Sequence, residues 1–122
     1  MPDSSLSMDL ATSARRKEQL MGLLWAVSGA ERGKVYLIAD GSVAGRRRQC
    51  EIFLADAEVS DIHCRFTIED GAFVVWDFGS KSGTWINGQR IRSATPLTEN
   101  DEVRLGSSVF LLKTLPERRP ER

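Results

Sequence analysis

Glycine-bearing turn signals cut this chain into short runs: Asp40–Gly41, Asp70–Gly71, Asn87–Gly88 and the Gly-Ser-Ser triplet at 106–108. Asn-Gly and Asp-Gly accept positive φ at both central positions, so they close two-residue hairpins. The runs between them are short and alternating. In CRFTIE, residues 64–69, Cys64, Phe66 and Ile68 share one face, and Arg65, Thr67 and Glu69 share the other. That period of two marks a half-buried strand. FVVWDF, residues 73–78, is apolar on both faces and suits an inner strand. KVYLI at 34–38, SVAG at 42–45, TWI at 84–86, QRI at 89–91, VRL at 103–105 and VFLLKT at 109–114 continue the pattern. The stretch 20–27, LMGLLWAV, fits two readings. Leu20, Leu24 and Val27 would share a helix face, whereas Leu23, Trp25 and Val27 would share one side of a strand. Strands recurring at roughly ten-residue spacing favour a strand here too. The expectation is an all-β chain, a sandwich of two sheets with its loops gathered at the two ends.

At 122 residues the chain has room for one domain with a genuine core. Residues 1–18 are polar and charged and read as a tail; 115–122, closing in LPERRPER, read as a charged tail or linker; the domain is expected over 19–114. Formal net charge is zero, which argues against nucleic acid as a partner. The longest strongly apolar stretch is far too short to cross a bilayer, and no signal pattern opens the chain. A cytoplasmic protein, or the soluble part of a larger one, is expected. Cys50 and Cys64 lack CxxC spacing, and with one histidine in the chain no metal site is expected. No Walker-type or GxGxxG loop occurs, so no cofactor is expected either.

Three polar segments remain: GRRRQC at 45–50, EVSDIHCRF at 58–66 and GSKSGTWINGQ at 79–89. All lie between strands, and they would converge if they share one end of the sandwich. Ser60 and His63 have the residue types of a nucleophile and its base. A triad also needs an orienting acid and oxyanion donors, and no GxSxG turn surrounds Ser60. Asp61 is adjacent to Ser60, and neighbouring side chains at a strand start point to opposite faces. Anion binding makes smaller demands. Gly45 permits close backbone approach or positive φ, an arginine presents a planar fork to phosphate oxygens, and the Ser60 hydroxyl with a backbone N–H from residues 60 and 61 would complete a cradle. Three arginines on a loop are equally a solvated surface, and composition leaves both readings open.

The order of these motifs resembles the forkhead-associated (FHA) domain family, a β-sandwich that binds phosphothreonine peptides. The resemblance is carried by Gly45-Arg46, Ser60-Asp61-Ile62-His63, Gly83-Thr84 and Asn87-Gly88, and by the flanking CEIFLADAEVS, WDFGSKSGTWINGQRI and LTENDEVRLG, over about residues 20–114. It implies two twisted, mostly antiparallel sheets of about eleven strands with recognition loops at one end. It also implies that the chain is a non-catalytic signalling adaptor, whose partner is a phosphothreonine-containing substrate of a Ser/Thr kinase. Arg46 and Ser60 then fall on the phosphate-binding positions, with Lys81 beside them. Arg47, Asp61, Ser82 and Asn87 fall on peptide-binding or loop-shaping positions. Gly45, His63, Gly83, Thr84 and Gly88 are structural, His63 bracing the loops without touching ligand.

Two positions depart from the family. Asp61 stands where a basic residue or asparagine is common, and a carboxylate beside a phosphate of charge about −1.5 to −2 opposes binding unless it points away. Ser82 stands where an asparagine usually grips the peptide backbone. Lys81 is expected to offset Asp61. These departures keep open a phosphate-independent docking module on the same scaffold, working through a sheet face. Thr12, in the polar tail, would allow self-association if it were phosphorylated.

Overall fold

The computed structural model describes residues 20–115, and these form two sheets. The strands are β1 (Met21–Ser28), β2 (Val35–Ile38), β3 (Val43–Gly45), β4 (Ile52–Phe53), β5 (Cys64–Glu69), β6 (Ala72–Asp77), β7 (Thr84–Ile86), β8 (Gln89–Arg90), β9 (Thr95–Pro96), β10 (Glu102–Leu105) and β11 (Ser108–Leu115). One sheet runs β2-β1-β11-β10-β7-β8 and the other β4-β3-β5-β6-β9. All pairings are antiparallel except β3 with β4. The expected all-β sandwich is what the chain forms. The expectations for residues 1–18, Thr12 and 116–122 lie outside the described residues; β11 runs one residue beyond the expected domain end, to Leu115.

Two hairpins form where Asp-Gly and Asn-Gly place them, whereas Asp40–Gly41 carries the chain from β2 to β3 in the other sheet. Asp70 and Gly71, at φ 53° and 79°, join β5 to β6, and Asn87 and Gly88, at φ 51° and 84°, join β7 to β8. Positive φ at both positions matches the right-handed twist of the flanking strands. β5 turns Cys64, Phe66 and Ile68 inward, as its alternation requires. Opposite them, Leu24, Leu105, Phe110 and Leu112 of the larger sheet complete the core. Burying each large side chain contributes roughly 1.5–3 kcal/mol.

The segment 20–27 is a strand, but with the opposite face inward from the one its large residues suggest. Gly22, Leu24 and Ala26 face the core, whereas Leu23 and Val27 are half-buried and Trp25 is 45% exposed. The run is apolar on both sides, so period two cannot choose between them. Packing decides: a Cβ on Gly22 would lie 2.9 Å from Phe73 Cε2 and 3.1 Å from Ile38 Cγ1, so only a bare backbone fits there. The consequence is an apolar outer face, with Trp25 opposite Val35 and Leu111, and Leu23 opposite Leu37.

Candidate functional site

The three polar segments meet at one end of the sandwich. The Arg46 amide donates to the Ser60 carbonyl at 3.0 Å, and the Arg47 amide to the Asp61 carbonyl at 3.3 Å. The Lys81 amide donates to Ser60 Oγ at 3.0 Å, and Ser82 Oγ donates to the Glu58 carbonyl at 2.7 Å. Between them lies an open cleft of about 650 Å³, lined by Arg46, Ala57, Glu58, Val59, Ser60, Asp61, Lys81 and Ser82.

Gly45 is what lets the first two segments touch. Its φ is not in the left-handed region; the demand is for close approach. A Cβ there would sit 2.1 Å from the Asp61 carbonyl oxygen and 2.9 Å from Cys50 Sγ. Gly83 meets both demands, with φ at 91° and Arg90 Nε 2.5 Å from where its Cβ would be.

His63 is fully buried beneath the cleft. Its Nδ1 accepts the Ser60 amide at 3.1 Å, and its Nε2 lies 2.9 Å from the Gly83 carbonyl. An amide can only donate and a carbonyl only accept, so the ring is the neutral Nε2–H tautomer. One side chain thereby ties the Ser60 loop to the Gly83 loop. Neither ring nitrogen is left for the Ser60 hydroxyl, so the pair lacks the geometry of a nucleophile and its base. The Ser60 amide is also taken, which removes it from the cradle that the sequence suggested. The hydroxyl fares differently. Its oxygen accepts from Lys81, which leaves its proton to donate into the cleft.

The FHA domain family model matches residues 42–106, more than half of the chain and the whole of this site. The chain belongs to the FHA domain family. Among similar proteins, the glycogen accumulation regulator GarA of Mycolicibacterium smegmatis is 36% identical over 96 residues, covering 78% of this chain and 60% of that protein. The oxoglutarate dehydrogenase inhibitor of Corynebacterium diphtheriae is 37% identical over 86 residues, 70% of this chain and 59% of that one. This FHA chain therefore spans about 60% of the length of the curated relatives it matches. Among solved structures, the FHA domain of the CT664 protein from Chlamydia trachomatis superposes with a TM-score of 0.68 at 30% identity, covering 76% of this chain and 96% of that one.

Several rim positions of this FHA domain are fixed by contacts within the protein. Asp61 is offset by Arg46 and Arg47, with Oδ1 3.6 Å from Arg46 Nη2 and Oδ2 4.0 Å from Arg47 Nε; among the described residues Lys81 forms no such pair. Ser82 turns its hydroxyl onto Glu58, within the protein. Asn87 and Gly88 line no part of the cleft. The Asn87 side chain donates to Asp101 at 3.0 Å and accepts from the Glu102 amide at 2.9 Å, pinning the β7–β8 hairpin to the start of β10.

Sequence reasoning missed the carboxylates that brace the loops. Asp77 Oδ1 accepts from Ser80 Oγ at 2.5 Å and from buried Thr84 Oγ1 at 2.7 Å, while Oδ2 accepts the Ser80 amide at 3.0 Å; Ser80 Oγ in turn accepts the Gly83 amide at 3.1 Å. Asp56 accepts from the Glu58 amide at 2.9 Å, and from the Ser107 amide and hydroxyl at 2.9 and 2.7 Å. Burial works to raise both carboxyls, but these hydrogen bonds outweigh it and hold both below the usual carboxylate range. The local half of each device was readable, because Asp followed by a backbone amide two or three residues on is an Asx-turn signature. The Ser107 contact spans 51 residues and left no local sign. Cys50 and Cys64 are both buried and free, and burial pushes both thiols up, away from the reactive thiolate. Among the described residues no cluster of His, Cys, Asp and Glu could hold a metal ion.

Proposed function

We propose that this chain is a phosphothreonine-peptide-binding module, an adaptor that captures a partner after a Ser/Thr kinase has modified it. One observation carries the reading: Arg46, Ser60 and Lys81 line a single open cleft, with the Ser60 hydroxyl oxygen accepting from the Lys81 amide. Arginine gives a planar fork to phosphate oxygens, the hydroxyl gives a directed donor, and the lysine gives a compact charge. Hydrogen bonds to charged groups contribute roughly 1.5–3 kcal/mol each, so three give about 4.5–9 kcal/mol before association costs. A micromolar complex corresponds to about −8 kcal/mol, which suits reversible signalling. The curated relatives carry "regulator" and "inhibitor" in their names, which supports reading this chain as a non-catalytic module.

The test is a calorimetric titration of one peptide in phosphothreonine and unmodified forms, repeated with Arg46→Ala. Binding of the phosphorylated form alone, abolished in Arg46→Ala with the melting curve unchanged, is the expected result. Equal binding of both forms would move recognition to the apolar outer face of the six-stranded sheet. Turnover that disappears in Ser60→Ala would make the chain an enzyme.

A further inference from the structure

Asp61 and Arg47 are a pair of a different kind from the floor beneath them. The Asp61 carbonyl oxygen is clamped: it accepts the Arg47 amide at 3.3 Å and the Cys50 thiol at 3.6 Å, and Gly45 packs against it with no room for a Cβ. The main chain of Asp61 therefore cannot retreat, and the carboxylate stays at the lip of the cleft, free only to rotate. Its two oxygens face two guanidinium groups, Arg46 at 3.6 Å and Arg47 at 4.0 Å. Both distances are long, and the three side chains are 49%, 63% and 59% exposed for Arg46, Arg47 and Asp61. Such pairs are weak and exchange readily.

A dianionic ester arriving at Arg46 meets that carboxylate as a competitor of like charge. Among the described residues, Arg47 is the other cation within 4 Å of the carboxylate. We propose that Asp61 is a built-in competitor for Arg46 and that Arg47 is the berth to which it withdraws when phosphate binds. The inference rests on the phosphothreonine reading of the cleft. In it, Arg46 holds the ligand, and Arg47 is a positioning residue that touches no ligand and acts by holding Asp61 aside. Together they limit affinity and keep capture reversible.

The experiment is a double-mutant cycle read as the dissociation constant of a phosphothreonine peptide, with the unmodified peptide as control. Asp61→Asn keeps the clamped carbonyl and removes only the charge, and should tighten binding about threefold to fivefold. Arg47→Gln should weaken it by a similar factor, and Arg47→Lys should restore most of the loss. In Asp61→Asn the further change Arg47→Gln should have no effect, because the carboxylate it manages is gone. Equal losses from Arg47→Gln in both backgrounds would mean that Arg47 contacts the ligand directly, and would overturn the proposal. So would unchanged or weaker binding in Asp61→Asn. Wild-type protein that ignores the phosphorylated peptide would sink the phosphothreonine reading itself, an outcome distinct from a phosphate-dependent wild type with an additive cycle.

Discussion

Floor and lip of the cleft share the segment 58–66, which supplies His63 to one and Asp61 to the other, yet they are bonded in opposite ways. On the floor, His63, Asp77, Ser80 and Thr84 each engage a partner inside the protein, at 2.5–3.1 Å. Among the described residues no buried side-chain nitrogen or oxygen lacks one. At the lip, Arg46, Arg47 and Asp61 are exposed and paired at 3.6 and 4.0 Å. Burial explains the contrast. A polar group removed from water must be satisfied internally or destabilise the fold, whereas water supplies whatever an exposed group lacks. The floor therefore sets shape and, on the proposed reading, the lip keeps unused capacity for a ligand. Breaking floor residues should cost stability first, and breaking lip residues should cost binding with little loss of stability.

The largest expected effect is at the floor. His63→Ala removes two hydrogen bonds and leaves the part-buried Ser60 amide and the buried Gly83 carbonyl without that partner. A loss of about 2–4 kcal/mol in unfolding free energy follows, read from urea denaturation. A variant as stable as wild type would show that the brace lies elsewhere. Gly45→Ala comes next, because it attacks the seam between the layers. Its Cβ collides with the Asp61 carbonyl, so residues 60–61 must shift. About 1–3 kcal/mol should be lost, and phosphopeptide affinity with it, since Arg46 and Ser60 are set by that contact. Retained affinity would show that the loops find another close approach.

How much of this could be read beforehand depends on the reach of each interaction. β5 and β6 were legible because CRFTIE has one apolar face and Asp70-Gly71 fixes the turn. β1 was legible as a strand but not in its orientation, since both faces of LMGLLWAV are apolar and only the tight fit of Gly22 against Phe73 selects one. In the cleft, Arg46 and Ser60 stood out through motif order. The direction of Ser82, the Arg47 partner of Asp61 and the tie from Asp56 to Ser107 did not, because each is settled between segments distant in sequence.

Acid gives a smaller and more graded test of the floor. Burial acts to raise the Asp56, Asp77 and Asp101 carboxyls, but in each the hydrogen bonds win and the native pKa is lowered. The native state then binds fewer protons than the unfolded chain, whose carboxyls titrate near 3.9. The stability from these groups is complete above that value and is lost as pH falls through the lower native values. The melting temperature should be flat from pH 7 to about 5 and decline below pH 4. Asp77→Asn should begin lower and decline less steeply. An Asp77→Asn curve parallel to wild type would mean that Asp77 contributes nothing to the acid dependence.

The smallest expected effect is the most discriminating. Arg46→Ala removes a half-exposed guanidinium whose ion pair among the described residues spans 3.6 Å, so stability should fall by no more than about 0.5 kcal/mol. The amide that holds Ser60 in place belongs to the main chain and survives the substitution. The floor should therefore stay intact, which amide hydrogen exchange at residues 60–66 and 79–84 would report. Phosphopeptide binding should nevertheless vanish, because the lip has lost the guanidinium that, on the proposed reading, grips two phosphate oxygens at once. A large stability loss in Arg46→Ala would blur the division between floor and lip, since it would mean that the guanidinium is itself part of the brace.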